Sequence, residues 1–277
     1  MIEQWREISG PHGATIRFTV AESGDPFVTL LCVHGWTLDH RSFLHQRALS
    51  HSGARVVSFD RRGFGHNDSV PGLDLEIDDL DALVDALPGP VVGFGVSQGA
   101  RLLLRYAAQR PAKLAGLVLQ GGLVDGLSVK GPKLPFARYA SLLEAGDRDT
   151  FIREWLAHPL MSEGVPEEQK AGIAKLLDRY EGRDLLSNCC APAPMDVTSL
   201  LPTLSMPMAV VDAASESPER REHARFLIDQ CGAAALSMPG GHLCHFTHPA
   251  ECNAAIADWL SSSVNGVNRR QERGRGF

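Results

Sequence analysis

The stretch from Pro90 to Leu104 constrains the fold more than any other part of the chain. An apolar, β-type run, Val91-Val92-Gly93-Phe94, leads into Gly95-Val96-Ser97-Gln98-Gly99. A helix-favouring run, Ala100-Arg101-Leu102-Leu103-Leu104, follows without a spacer. A Gly-x-Ser-x-Gly between a strand and a helix calls for a sharp turn with serine at its apex, and the two glycines let strand and helix approach closely. The pentapeptide alone is common and gains meaning only from that context. A serine raised at the carboxyl edge of a sheet is placed for nucleophilic chemistry, provided a base, an acid and donors for a negative oxygen lie elsewhere.

The surrounding chain supplies such a sheet. Residues 3–21 read as a β-hairpin turning at Pro11-His12-Gly13. Strands are expected at 28–33, 54–59 and 114–119, with a helical stretch over 41–49. Leu75, Ile77, Leu80, Leu83, Val84 and Leu87 recur at helical spacing, so 75–87 should be an amphipathic helix. The elbow helix should run to about 109. Alternating β and α units imply a mainly parallel sheet covered on both faces. From 123 to 202 no strand is expected, and helical segments at 135–145, 150–157 and 166–180 read as a lid rather than a loop. The sheet resumes at 208–211, followed by a helix over 218–230, a strand over 233–238 and a helix from 249 to about 262. The expectation is an α/β, doubly wound, mostly parallel sheet of about eight strands. Residues 1–122 and 203–265 would form the core domain, 123–202 an inserted helical cap, and 266–277 a disordered basic tail.

Composition narrows the setting. A net charge of −6 over 277 residues gives nucleic acid no basic footprint. No apolar run approaches the length that spans a bilayer, and the first residues lack the apolar core of a signal peptide. Six cysteines without framework spacing read as reduced thiols in a cytoplasmic protein, and a vicinal Cys189-Cys190 disulfide would carry strain. The expected partner is a small-molecule substrate, with no nucleic acid and no membrane, in a monomer or homodimer.

Among eleven histidines, His242 follows a strand through Gly240-Gly241 and precedes a helix. In a doubly wound sheet that loop opens on the same edge as the elbow. His245 and His248 extend it to His-x-x-His-x-x-His, a spacing that matches no standard zinc pattern, so no metal is expected. A carboxylate should fix the histidine's tautomer and stabilise its cation. Glu216, just beyond the strand at 208–211, is favoured. Asp125, beyond the preceding strand, and Asp212, at the strand's own end, remain alternatives. The oxyanion that forms in acyl transfer needs backbone N–H donors. Gln98 supplies one at the elbow helix, and the turn at His34-Gly35-Trp36 makes Trp36 the other, with its ring towards the acyl pocket. Phe136, Phe151 and Trp155 of the lid join Trp36 as candidate pocket residues.

Four motifs in order carry a resemblance: His34-Gly35-Trp36, Asp60-x-Arg62-Gly63-Phe64-Gly65, Gly95-x-Ser97-x-Gly99, and Gly241-His242 with Pro249-Ala250-Glu251 behind it. Over residues 15–262 the chain resembles the α/β-hydrolase fold superfamily, and within it small esterases, enol-lactonases and carbon–carbon bond hydrolases with a helical cap. Two positions depart from the usual pattern. Ala213-Ala214-Ser215-Glu216 stands where Gly-x-x-Asp is usual, and Asn67 stands where the loop after Gly65 usually has serine. The resemblance implies a serine hydrolase without cofactor that cleaves a small-to-medium, mostly apolar ester or lactone through an acyl-enzyme on Ser97. It also admits cofactor-independent dioxygenases, perhydrolases and ligand receptors on the same scaffold.

Overall fold

A computed structural model describes residues 4–131, 134–189 and 192–265, so the tail beyond 265 and Cys190 lie outside the described residues. One eight-stranded sheet runs through the molecule: β1 (Gln4–Ser9), β2 (Thr15–Ala21), β3 (Val28–Val33), β4 (Ala54–Phe59), β5 (Val91–Val96), β6 (Gly116–Gln120), β7 (Met208–Ala213) and β8 (Ala234–Met238). Their spatial order is β1-β2-β4-β3-β5-β6-β7-β8. The hairpin β1–β2 joins β4 antiparallel, and every later pairing is parallel. Strands β3 and β5 are buried along their whole length, which explains their near-continuous Val, Leu and Phe.

Two apolar layers sandwich the sheet. On one face α1 (Leu75–Ala86), α2 (Gln98–Gln109) and α8 (Pro218–Cys231) contribute Leu80, Leu83, Leu103, Tyr106 and Leu227 against Leu31, Val57, Leu117 and Val210. On the other, α10 (Pro249–Trp259) brings Ile256 and Trp259 against Leu30, Phe94 and Val118, beside Phe43 and Leu49. Leu103 is fully buried against this layer, so Leu103→Ala would cost about 2–5 kcal/mol.

Strand β5 ends at Val96 and α2 begins at Gln98, leaving Ser97 alone to reverse the chain. A Cβ on Gly95 would lie 2.6 Å from Ala100 Cα, and one on Gly99 would lie 2.6 Å from the His34 carbonyl oxygen and collide with that of Val33. The elbow therefore accepts no side chain at either glycine.

Between β6 and β7 the described chain holds no strand and carries α3 (Phe136–Glu144), α4 (Arg148–Ala157), α5 (Pro159–Ser162), α6 (Lys170–Leu176) and α7 (Arg183–Leu186). These helices enclose a third apolar cluster of Tyr139, Phe151, Trp155, Leu177 and Tyr180 with Trp36 and Phe64 of the sheet loops. The expected helix over 41–49 is instead two 3₁₀ segments, His40–Phe43 and His45–Ser52. Its burial is scattered, with Gln46 held by the His245 carbonyl at 2.7 Å, so no apolar stripe favours an α-helix there. A short helix, α9 (Cys244–Thr247), separates β8 from α10.

Candidate active site

Ser97 occupies the left-handed region at φ 54°, ψ −115°, a conformation that side chains avoid unless the surroundings impose it. The imposing contacts are visible. Ser97 N–H donates to the Gln120 carbonyl at 2.7 Å, and Ser97 O accepts from Arg101 N at 3.1 Å. A Cβ on Gly35 would sit 3.3 Å from Ser97 Cβ, so the turn after β3 runs directly beside the serine.

His242 reaches the same edge from the loop after β8. Its Nδ1 lies 2.6 Å from Glu216 Oε2, and both side chains are buried. A carboxylate only accepts, so Nδ1 carries the proton and Nε2 is left as the basic nitrogen. The other oxygen, Oε1, accepts Ser217 N–H at 2.7 Å. Burial pushes the Glu216 carboxyl up, but His242, that backbone donor and Arg220 outweigh it and hold the group below its usual range. Gly121, the residue after β6, packs against this pair. A Cβ there would lie 2.5 Å from His242 Nδ1 and 2.8 Å from Glu216 Oε2. Because Gln120 holds Ser97 N–H and Gly121 abuts the imidazole, serine and histidine flank one strand end.

The two alternative carboxylates lie elsewhere. Asp125 accepts from Arg101 Nε and from Arg105 Nη1, each at 2.8 Å. Asp212 lies inside β7, opposite Ser237 of β8, and lines an outer 220 Å³ hollow with Arg221 and Arg225. Neither touches His242. Glu216 differs from Asp212 by having left the strand, which lets a longer side chain turn back to the imidazole.

Gln98 opens α2, and Trp36 lies in the turn beside Ser97, where its backbone N–H has no acceptor among the described residues. The Trp36 ring lies against the inserted helices. It packs edge-on to Phe136 at 5.1 Å and to Trp155 at 4.9 Å, and its Nε1–H donates to Asp184 at 2.8 Å. Phe151 is fully buried in this cluster, and Trp155 Nε1–H donates to Thr37 Oγ1 at 2.8 Å. Of the expected pocket aromatics, only Phe136 retains partial exposure.

Three further residues enter that sequence reasoning missed. Gln120 Nε2 donates to the His242 carbonyl at 2.7 Å and to His245 Nδ1 at 3.0 Å, bracing the loop that carries the base. His158 caps α5, accepting Leu160 N–H on Nδ1 at 3.2 Å; burial first, then the nearby His242 and Arg220, hold it below the usual histidine range. Arg220, in the first turn of α8, is buried beside Glu216. All three roles depend on tertiary packing that the sequence does not display.

The three histidines of the loop do not converge. His245 faces Gln120, while His248 Nδ1 meets Thr247 Oγ1 at 2.9 Å. Among the described residues, the only group of three with ligand atoms mutually close is Asp39, His40 and Asp60. Its carboxylates already accept protein donors: Asp60 takes His40 N, His40 Nδ1 and His66 N, and Asp39 takes Arg41. The loop residue Asn67 donates to the Asp60 carbonyl at 3.0 Å, and Asp68 pairs with Arg183 at 2.5 Å.

The chain is similar to known proteins in sequence and in fold. A pimeloyl-[acyl-carrier protein] methyl ester esterase of Shewanella woodyi (strain ATCC 51908 / MS32) is 34% identical over 247 residues, covering 84% of this chain and 93% of that protein. Among solved structures, an esterase of Exiguobacterium antarcticum superposes with TM-score 0.76 at 17% identity, covering 92% of this chain and 99% of its own. The enol-lactonase of Burkholderia xenovorans LB400 gives TM-score 0.77 at 17% identity, with 93% and 100% covered. The family model described as "Alpha/beta hydrolase family" matches residues 30–255, and the chain belongs to that family.

Proposed function

We propose that the chain is a cofactor-free serine hydrolase that cleaves a small-to-medium, mostly apolar carboxylic ester or lactone through an acyl-enzyme on Ser97. The observation that carries this reading is the buried His242–Glu216 pair, 2.6 Å apart, seated against Gly121 beside the Ser97 elbow. In this mechanism His242 Nε2 takes the Ser97 hydroxyl proton as Oγ attacks the carbonyl carbon. Glu216 keeps the imidazole in the Nδ1–H tautomer and stabilises the cation that forms. Backbone N–H groups of Trp36 and Gln98 receive the oxyanion, which is the largest single contribution in comparable acyl transfers. His242 then protonates the leaving oxygen, and water activated by the same nitrogen releases the acid.

The chain between β6 and β7, residues 123–202, serves in this reading as a cap whose aromatic interior excludes water and favours an apolar acyl group. The methyl ester substrate named for the 34% identical relative supports ester rather than amide or carbon–carbon bond cleavage. The test is covalent. A fluorophosphonate probe should label folded wild type at Ser97, and p-nitrophenyl ester hydrolysis should fall by at least about 10³-fold in Ser97→Ala. Undiminished turnover in Ser97→Ala would remove the nucleophile from the mechanism.

A further inference from the structure

Arg220 is the one charged group of the site whose placement the hydrolytic mechanism does not explain. Its side chain is 7% exposed, and its Nε is sealed from solvent without a hydrogen-bond partner. Among the described residues its guanidinium makes no hydrogen bond and no ion pair. The residue's only polar link is its backbone N–H, which donates to the Ser217 cap at 3.4 Å. The other buried arginines are all matched: Arg61 with Glu76, Arg62 with Asp79, and Arg105 with Asp125 and Asp74. Arg101, on the first turn of α2, is taken by Asp125.

The position is unfavourable twice over. A buried unpaired cation forgoes its hydration without a compensating charge. It also sits in the first turn of a 14-residue helix, where the aligned peptide dipoles repel positive charge. Burial pulls its proton affinity down, Glu219 and then Glu216 oppose this only in part, and the field of Arg101 adds to it. Neither carboxylate pairs with it. Glu216 is committed to His242 and Ser217, and the Glu219 side chain lies against Gly131, 2.7 Å from where a Cβ would be.

Two hydrogen bonds tie the start of its helix to the buried pair: Arg220 N–H donates to Ser217 Oγ at 3.4 Å, and Ser217 N–H donates to Glu216 Oε1 at 2.7 Å. The through-space neighbours of Arg220 are Glu216 of the buried pair, Arg101 four residues after Ser97, His158 of the inserted helices and His223 of α8. These come from the loop after β7, the helix that follows Ser97, the helices between β6 and β7, and α8 itself. We infer that Arg220 receives a carboxylate on the substrate, so that the ester or lactone cleaved at Ser97 is an acidic one, carrying one free carboxylate away from the scissile bond. A guanidinium offers a planar fork that matches a carboxylate. One unmatched positive charge calls for a monoanion; the second cation within reach, Arg101, is already neutralised by Asp125. The inference rests on the hydrolase reading for the identity of the scissile group, but the anion receptor itself does not.

The test compares wild type, Arg220→Met and Arg220→Lys on the monomethyl esters of succinate, glutarate and adipate and on neutral methyl alkanoates of equal length. The readout is the ratio of kcat/KM for acidic over neutral ester. Arg220→Met should lower that ratio at least tenfold for the best chain length, chiefly through KM, and Arg220→Lys should restore part of it. An arginine acting only through Glu216 would depress both substrates together, and an unchanged ratio overturns the inference. The Tm of ligand-free Arg220→Met should equal or exceed that of wild type, because a matched apolar chain replaces an unpaired charge. A fall of several degrees would mark Arg220 as structural and overturn the inference. A second arm separates this inference from the hydrolase reading. Calorimetric titration of succinate, glutarate and adipate into Ser97→Ala should show binding that is lost in Ser97→Ala/Arg220→Met. Equal titrations overturn the receptor even if esters are cleaved. Arg220-dependent titration without Ser97-dependent cleavage supports the receptor and overturns the hydrolase.

Discussion

Gly121→Ala should disable the site without touching any reacting group. Gly121 has φ +58°, and a Cβ there would lie 2.5 Å from His242 Nδ1 and 2.8 Å from Glu216 Oε2. Ordinary Cβ contacts begin near 3.4 Å, so the imidazole and its carboxylate must retreat by about 1 Å. A displacement of about that size at a reacting group costs on the order of 100-fold in rate, or about 2.7 kcal/mol of transition-state stabilisation. The left-handed backbone adds about 1 kcal/mol of folding cost. Gly89→Ala is the control, since Gly89 also has positive φ, +76°, but a Cβ there meets nothing within 4 Å. Urea denaturation should therefore show both variants destabilised by about 1 kcal/mol. Steady-state kinetics on p-nitrophenyl butyrate should show kcat/KM down about 100-fold in Gly121→Ala and near wild type in Gly89→Ala. A folded Gly121→Ala that retains kcat/KM within about threefold of wild type would refute the placement of the base against β6, because each 1.36 kcal/mol of barrier is tenfold in rate.

Two further perturbations separate catalysis from architecture. Glu216→Gln should lower kcat by about 10³–10⁴-fold with little change in Tm, through loss of the tautomer and of the imidazolium's counter-charge. Asp125→Asn should instead unpair Arg101 and leave buried Arg105 with Asp74 alone, costing about 3 kcal/mol by urea titration while the folded fraction keeps its kcat; a reversed pattern would make Asp125 the acid. Acid should weaken the fold early. Burial, then Arg61, pulls His34 down to about 4, and burial, then His242, pulls His245 to about 3. Both stay neutral in the folded state while the unfolded chain takes up protons below about pH 6.5. Their contribution is whole above that pH and is lost as pH falls towards 4 and 3. At pH 5 the loss is about 2 kcal/mol for each histidine, and equal urea midpoints at pH 7.5 and 5 would contradict it.

The elements most legible in the sequence were those fixed by local rules. Strands β3 and β5 read directly because burial on both faces demands unbroken apolar runs. The elbow read directly because two backbone approaches admit only glycine. Short helices such as α5 and α7, four residues each, are shorter than the pattern that would reveal them. The carboxylate that meets His242 was only partly legible. Position along the chain brought Glu216, Asp212 and Asp125 alike to the correct sheet edge. What separates them is whether the side chain leaves the strand and what else it meets, which is tertiary information. Gln120 and Arg220 were silent for the same reason, since their partners and neighbours lie far away in sequence, 122 residues in the case of Gln120 and His242.

Trp36 makes the same division within one residue. Its backbone follows β3 and turns at Gly35 past Ser97, so its placement beside the serine, where the proposed mechanism needs a donor, follows from strand and turn alone. Its ring lies among Phe136, Tyr139 and Trp155, with Nε1–H bound to Asp184 of α7. An indole N–H left unpaired in that apolar cluster would cost about 1–3 kcal/mol, and a carboxylate 148 residues away satisfies it. Thr37, the next residue, receives Trp155 Nε1–H in the same way. Main chain at the sheet edge and side chains in the inserted helices thus belong to one continuous unit. The turn that holds a donor beside Ser97 is held in place by the segment that covers it.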